Sequence, residues 1–115
     1  MDVSYVSLGE ALVVAPVGRV DEASWEEFGA HLREGIERAS SGALGTLVID
    51  LSGIDYMSSR GLRALTVAKQ EGIAAGVSIR LANPNDLMRE ILAISRYDRL
   101  FAVDDPMRAD DRTRD

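Results

Sequence analysis

The run Thr46–Leu51 (TLVIDL) limits the fold more than any other part of this chain. Its centre, Leu47-Val48-Ile49, has no alternation of polar and apolar residues. A strand of that kind is covered on both faces and sits inside a sheet. Its parallel neighbours are reached by crossovers, so helices are expected on either side of it in sequence.

The flanking segments supply them. Ahead of the run, Trp25, Phe28, Leu32, Ile36 and Ala39 fall at helical spacing, with Glu26, Glu27, Arg33, Glu34, Glu37 and Arg38 facing the other way. Asp21 is placed to cap this helix, and Ser40-Ser41-Gly42 closes it. Behind the run, a short loop leads into a second helix from near Ser58 to about Ala75, ended by Gly76. Gly61, Ala64, Ala68, Gly72 and Ala75 form a stripe of small residues along it, with Leu62, Leu65 and Ile73 beside them. Small side chains let a helix lie close on a sheet.

Val77–Ala82 reads as a further strand. Asn83 and Pro84 open a third helix with Leu87, Met88, Ile91 and Leu92 on its inner face, and Leu100–Val103 is the last strand. At the other end, Val3–Leu8 and Ala11–Val17 form a hairpin across Gly9-Glu10. Pro16 has no N–H to give, so its strand is expected at an edge or to end there. The order is ββαβαβαβ: an α/β fold with a mostly parallel central sheet, an initial hairpin, and helices packed on the sheet. Residues 1–103 form one domain. The charged segment 104–115, in which Met107 is the one large apolar residue, is expected to be mobile.

Composition narrows the function classes. At 115 residues and 46% hydrophobic, the chain can build a core without staples. It has no cysteine, which excludes disulfides, thiolate metal sites and cysteine nucleophiles. A formal charge of −6 argues against nucleic acid and against an anionic membrane face. No apolar run approaches the roughly 20 residues of a membrane span, and the start, MDVSYVSLGE, lacks the features of a secretory signal. A cytoplasmic protein without membrane insertion is expected. There is no GxxxxGK[ST], GxGxxG or GxSxG pattern, and no cofactor is expected. His31, the single histidine, reads as a solvated helix residue, which leaves Ser59 without a general base and a zinc site without ligands.

The loop after the central strand delivers Ser58 and Ser59 to the first turn of the second helix. N–H groups at a helix start are unpaired and favour negative charge. A hydroxyl there is a structural cap or a phosphate acceptor. Both readings hold together if Ser58 caps while Ser59 points outward. Arg60 and Arg63 offer counter-charge nearby. Either Asp21 is a helix cap and Asp55 a turn residue, or the two form an acidic rim that would repel a phosphate.

Gly18-Arg19-Val20-Asp21, the stretch Leu47 to Met57, Ser58-Ser59-Arg60-Gly61-Leu62, and Asp98-Arg99-Leu100-Phe101 follow one another in an order that resembles the STAS domain. Within that family the chain is most similar to the small stand-alone anti-sigma factor antagonists of bacteria, over about residues 3 to 103. The resemblance implies a non-enzymatic switch. An anti-sigma factor serine kinase of the GHKL type phosphorylates a serine in the signature Asp-Ser-Ser/Thr-Gly-Leu, and a PP2C-type phosphatase resets it. Alignment on Gly61 puts the acceptor at Ser59, with Ser58 as the alternative. Asp21, Asp55, Met57, Ser58, Ser59, Arg60 and Arg63 are the implied partner contacts. Ser58 replaces the signature's acidic residue, and Arg60 replaces a small one. The family also includes subunits of lipid-transport ABC systems and of larger signalling assemblies, in which the serine turn would be a fixed contact.

Overall fold

The structure, a computed structural model, describes residues 1–104. In chain order the elements are β1 (Asp2–Leu8), β2 (Ala11–Val20), α1 (Trp25–Ser41), β3 (Thr46–Asp50) and β4 (Ile54–Met57). They continue as α2 (Ser59–Ala75), β5 (Ser78–Ala82), α3 (Asp86–Ser95), the single turn α4 (Tyr97–Leu100) and β6 (Ala102–Asp104). The sheet runs β1-β2-β3-β5-β6, antiparallel at the β1–β2 hairpin and parallel elsewhere, with β4 paired to β2. β3 lies in the middle, and Leu47, Val48 and Ile49 are all buried. This is the α/β fold with a mostly parallel sheet and an initial hairpin that the sequence implies.

Alternation along β2 sets the two layers. Leu12, Val14 and Pro16 are buried, together with Phe28, Leu32, Ile36 and Ala39 of α1 and Leu62, Leu65 and Ala68 of α2. The opposite face of the hairpin stays open, with Val6, Leu8 and Val17 each about half exposed. Among the described residues no helix is long and apolar enough to cross a membrane.

Several expectations are corrected. The stretch read as a loop before α2 contains β4, which pairs in parallel with the far end of β2, so the order is ββαββαβααβ. Four residues with Asp55 among them are too short and too polar to stand out by periodicity. Pro16 is neither at an edge nor at a strand end, because β2 runs on to Val20 between β1 and its parallel partners. Ala11 to Val14 pair with β3, and Gly18 to Val20 pair with β4. Gly18 N–H donates away from β1, to Gly53 O at 2.9 Å. Two residues back, the nitrogen of Pro16 faces the same side, in the gap between the two ladders where no bond is needed. The register slips just after Gly18, whose φ of +133° suits glycine and strains other residues.

The cap of α3 is Asn85, whose Oδ1 accepts from Met88 N at 2.8 Å, and not Asn83. Pro84 is therefore buried ahead of the helix. Asn-Pro-Asn offers two caps, and Asn83 instead adopts a positive φ of 57° and donates to Asp50. Leu87 is 47% exposed and Ile73 is 71% exposed, so neither lies on an inner face. On α2 it is Gly72 that meets the sheet. A methyl there would lie 2.7 Å from Val77 O, which leaves Ile73 turned to solvent. Leu100 ends α4 and does not begin the last strand.

Asp104, expected in the tail, is the last residue of β6. Arg80 donates to both its carboxylate oxygens, at 3.0 and 2.7 Å. The expectation for residues 105–115 lies outside the described residues. The Arg80 bonds hold the Asp104 carboxyl below its ordinary value against an opposing desolvation. The pair therefore stabilises the fold above about pH 4 and loses that contribution as the pH falls through the lowered native value. Both side chains are more than a third exposed, which limits the effect. Asp104→Asn is expected to cost no more than about 1 kcal/mol at neutral pH, with the difference vanishing in acid, as read by urea unfolding at both pH values.

Candidate functional site

β2 and β4 run parallel and end together, with Val20 in register with Met57. Their carboxyl ends release two segments side by side: the turn from Asp21 to Ser24 ahead of α1, and Ser58 ahead of α2. The N–H of Ser58 donates to Val20 O at 2.8 Å and ties the two exits together. In open parallel sheets this end of the strands is where ligands and partners gather.

The two adjacent serines have different surroundings. Ser58 is extended, half-buried, and the N-cap of α2, with its hydroxyl accepting from Gly61 N at 3.4 Å. Its carbonyl takes the N–H of Leu62 at 3.0 Å. Ser59 is the first residue of the helix and exposed, and its hydroxyl makes no hydrogen bond among the described residues. Its N–H and that of Arg60 lie in the first turn, where no intrahelical carbonyl reaches them. That turn carries no acidic residue. A phosphate on Ser59 Oγ would meet unpaired donors and no local like charge on its own helix.

Gly61 makes this corner close. A methyl there would lie 2.5 Å from Met57 Cγ and 2.6 Å from Val20 Cγ1. Both neighbours are buried, so they have little room to retreat. Overpacking of this kind costs about 1–3 kcal/mol, and the better helix propensity of alanine returns up to about 1. Gly61→Ala is accordingly expected to lower unfolding stability by about 1–2 kcal/mol in urea titration.

Asp21 does not cap α1. The helix starts four residues later, and Ser24 holds the cap position without a side-chain bond. Asp21 instead braces the turn: its carboxylate accepts from Ala23 N at 3.0 Å and Arg19 Nε at 3.3 Å, and lies 3.1 Å from Ser24 Oγ. The bond from Ala23 N–H, opposed by desolvation and aided by Ser24 and Arg19, holds its carboxyl below the ordinary value. Asp55 is exposed but lies within β4 and not in a loop. Met57, named as a partner contact, is 2% exposed. The short β4 strand turns it into the core beside Gly61, which removes it from any contact surface.

His31 is also corrected. Its side chain is 21% exposed, with Nε2 3.8 Å from Glu27, and its carbonyl accepts from Tyr5 Oη at 3.1 Å. It packs toward β1 and is no fully solvated residue.

Arg60 reaches across the corner. Its Nε sits 3.1 Å from the Glu22 carboxylate, and its guanidinium lies over the Trp25 ring, 5.3 Å from the centroid. Arg63 is exposed, four residues after Ser59, and makes no ion pair among the described residues. Trp25, Gly29, Arg60, Arg63 and Ala64 line a groove of about 400 Å³ between α1 and α2, bridged by Arg33 and Glu71 at 3.6 Å. The structure thus brings Asp21, Ser58, Ser59 and Arg60 to one corner and adds Glu22 and Trp25. Sequence spacing gave no sign of the Glu22–Arg60 pair, which joins residues on different elements. Trp25 read simply as part of the inner stripe of α1.

The STAS domain model matches residues 3–110. A STAS-domain containing protein of Pseudomonas aeruginosa is 32% identical over 97 residues, covering 83% of this chain and 89% of that protein. Among solved structures, the anti-sigma factor antagonist SpoIIAA in its unphosphorylated form superposes with a TM-score of 0.71 at 21% identity, over 98% of this chain and 96% of that one. SpoIIAA of Bacillus in its phosphorylated form gives 0.65 at 20% identity, over 98% of each. An anti-sigma factor antagonist from Mycobacterium paratuberculosis gives 0.72 at 19% identity, over 96% and 88%. At these identities the structural likeness is one of fold. The sequence match over nearly the whole described length carries the assignment: this chain belongs to the STAS-domain family.

Proposed function

We propose that this protein is a bacterial, cytoplasmic anti-sigma factor antagonist that works by exchanging partners. It docks on an anti-sigma factor serine kinase of the GHKL type and thereby frees a sigma factor. The kinase moves the terminal phosphoryl group of a nucleoside triphosphate to Ser59 Oγ, and the hydroxyl proton leaves. The modified protein lets go, and a PP2C-type phosphatase hydrolyses the ester. The chain performs no catalysis itself.

The observation that supports this reading best is the division of labour between the two serines. Ser58 is used up as the cap, while Ser59 carries an exposed hydroxyl at the start of α2 with no hydrogen-bond partner among the described residues. Asp21, Asp55, Ser58, Arg60 and Arg63 surround the docking face in this proposal. A phosphate carries about −1.5 to −2 charge, and beside Asp21 and Glu22 it opposes a partner fitted to the neutral hydroxyl. Affinity capture with the full chain from its own host tests the proposal. Recovery of a GHKL-type kinase is expected, and recovery of a lipid-transport ABC ATPase in its place would overturn the switch reading.

A further inference from the structure

Two side chains tie the turn ahead of α1 to the start of α2 at the surface. The Glu22 carboxylate lies 3.1 Å from Arg60 Nε, and the Arg60 guanidinium covers the Trp25 ring at 5.3 Å. The pair is exposed, 57% for Arg60 and 73% for Glu22, so water screens it and the attraction is weak. Ser59 immediately precedes Arg60, and Arg63 stands one helical turn beyond Ser59 on the same face with no ion pair among the described residues.

We infer that a phosphate on Ser59 draws Arg60 away from Glu22 and Trp25, is held between Arg60 and Arg63, and so opens the mouth of the α1–α2 groove. This rests on Ser59 being the modified serine. A phosphate offers more charge and more acceptor oxygens than a carboxylate, so it wins an exposed guanidinium from one. Glu22 is left unpaired next to a second anion, which repels it from the corner. Trp25 loses its cover. Modification then changes the shape of the docking face as well as its charge, through Arg60, which stands where the family signature has a small residue.

The test uses the full chain with phosphoserine installed at position 59 during translation, so no kinase is involved. Trp25 is the single tryptophan and reports its own exposure. Acrylamide, a neutral quencher, is expected to reach Trp25 more readily in the phosphorylated chain than in the unmodified one. In Arg60→Gln the unmodified chain already shows the higher quenching, and phosphate adds nothing. Phosphorus NMR titration is expected to show the second phosphate pKa rising by about half a unit in Arg60→Gln, and likewise in Arg63→Gln. Unchanged quenching on phosphorylation, or a phosphate pKa indifferent to Arg60→Gln, overturns the inference. Because the phosphate is installed directly, such a failure is separate from the question of whether a kinase modifies Ser59 in the cell.

Discussion

Ser59→Asp is expected to weaken docking on the serine-kinase partner by about 10- to 100-fold, while Ser59→Ala docks as tightly as the unmodified chain. The reason is local. Ser59 is exposed and its hydroxyl makes no hydrogen bond among the described residues, so alanine removes none of those. A carboxylate adds charge to a proposed docking face that already carries Asp21 and Glu22, and like charges at an interface cost affinity. True phosphoserine is expected to do more, since it carries up to twice the charge. Titration calorimetry on the two variants and the parent reads the difference directly. Equal affinities for Ala and Asp variants would contradict a switch at this residue. The parallel substitution Ser58→Ala separates capping from switching: it is expected to cost about 1 kcal/mol of fold stability and to leave phosphorylation possible.

The second large effect concerns the scaffold. Phe28→Ala is expected to cost about 3–5 kcal/mol, a large share of the total of about 5–15 for a domain of this size. Phe28 is fully buried, and with Leu32, Ile36 and Ala39 it fixes α1 on β2 and β3. The cavity it leaves cannot be filled by neighbours already packed to crystal-like density. α1 begins at Trp25, so its loosening also reaches the Asp21–Ser24 turn that leads into it. Urea unfolding is the measurement, and a loss below about 1 kcal/mol would mean that α1 is not seated as described.

The parts legible in the sequence were those with a long or one-sided pattern. The unalternating centre of β3, the apolar stripe of α1 and the serine that opens α2 each follow from a local rule. Gly76 ends α2 with a φ of +76°, as a left-handed C-cap should. Most of the misreadings share a cause: the deciding partner lies far away in sequence. β4 exists because the far half of β2 is free to pair with it, and the same arrangement lets Pro16 sit inside the sheet. Met57 reads as a loop residue until β4 turns it inward against Gly61. The Glu22–Arg60 contact joins two turns and leaves no periodic trace in either. Asp21 is the exception: it reads as the cap of α1, but its carboxylate bonds Ala23, Ser24 and Arg19 close by in the turn, and not the helix.

The most direct measurement is phosphopeptide mapping by mass spectrometry on the protein from its own host, with and without the gene for the partner kinase. The account predicts phosphate on Ser59, present with the kinase and lost without it. Phosphate confined to Ser58, or a Ser59 left unmodified while the partner kinase is active, would contradict it.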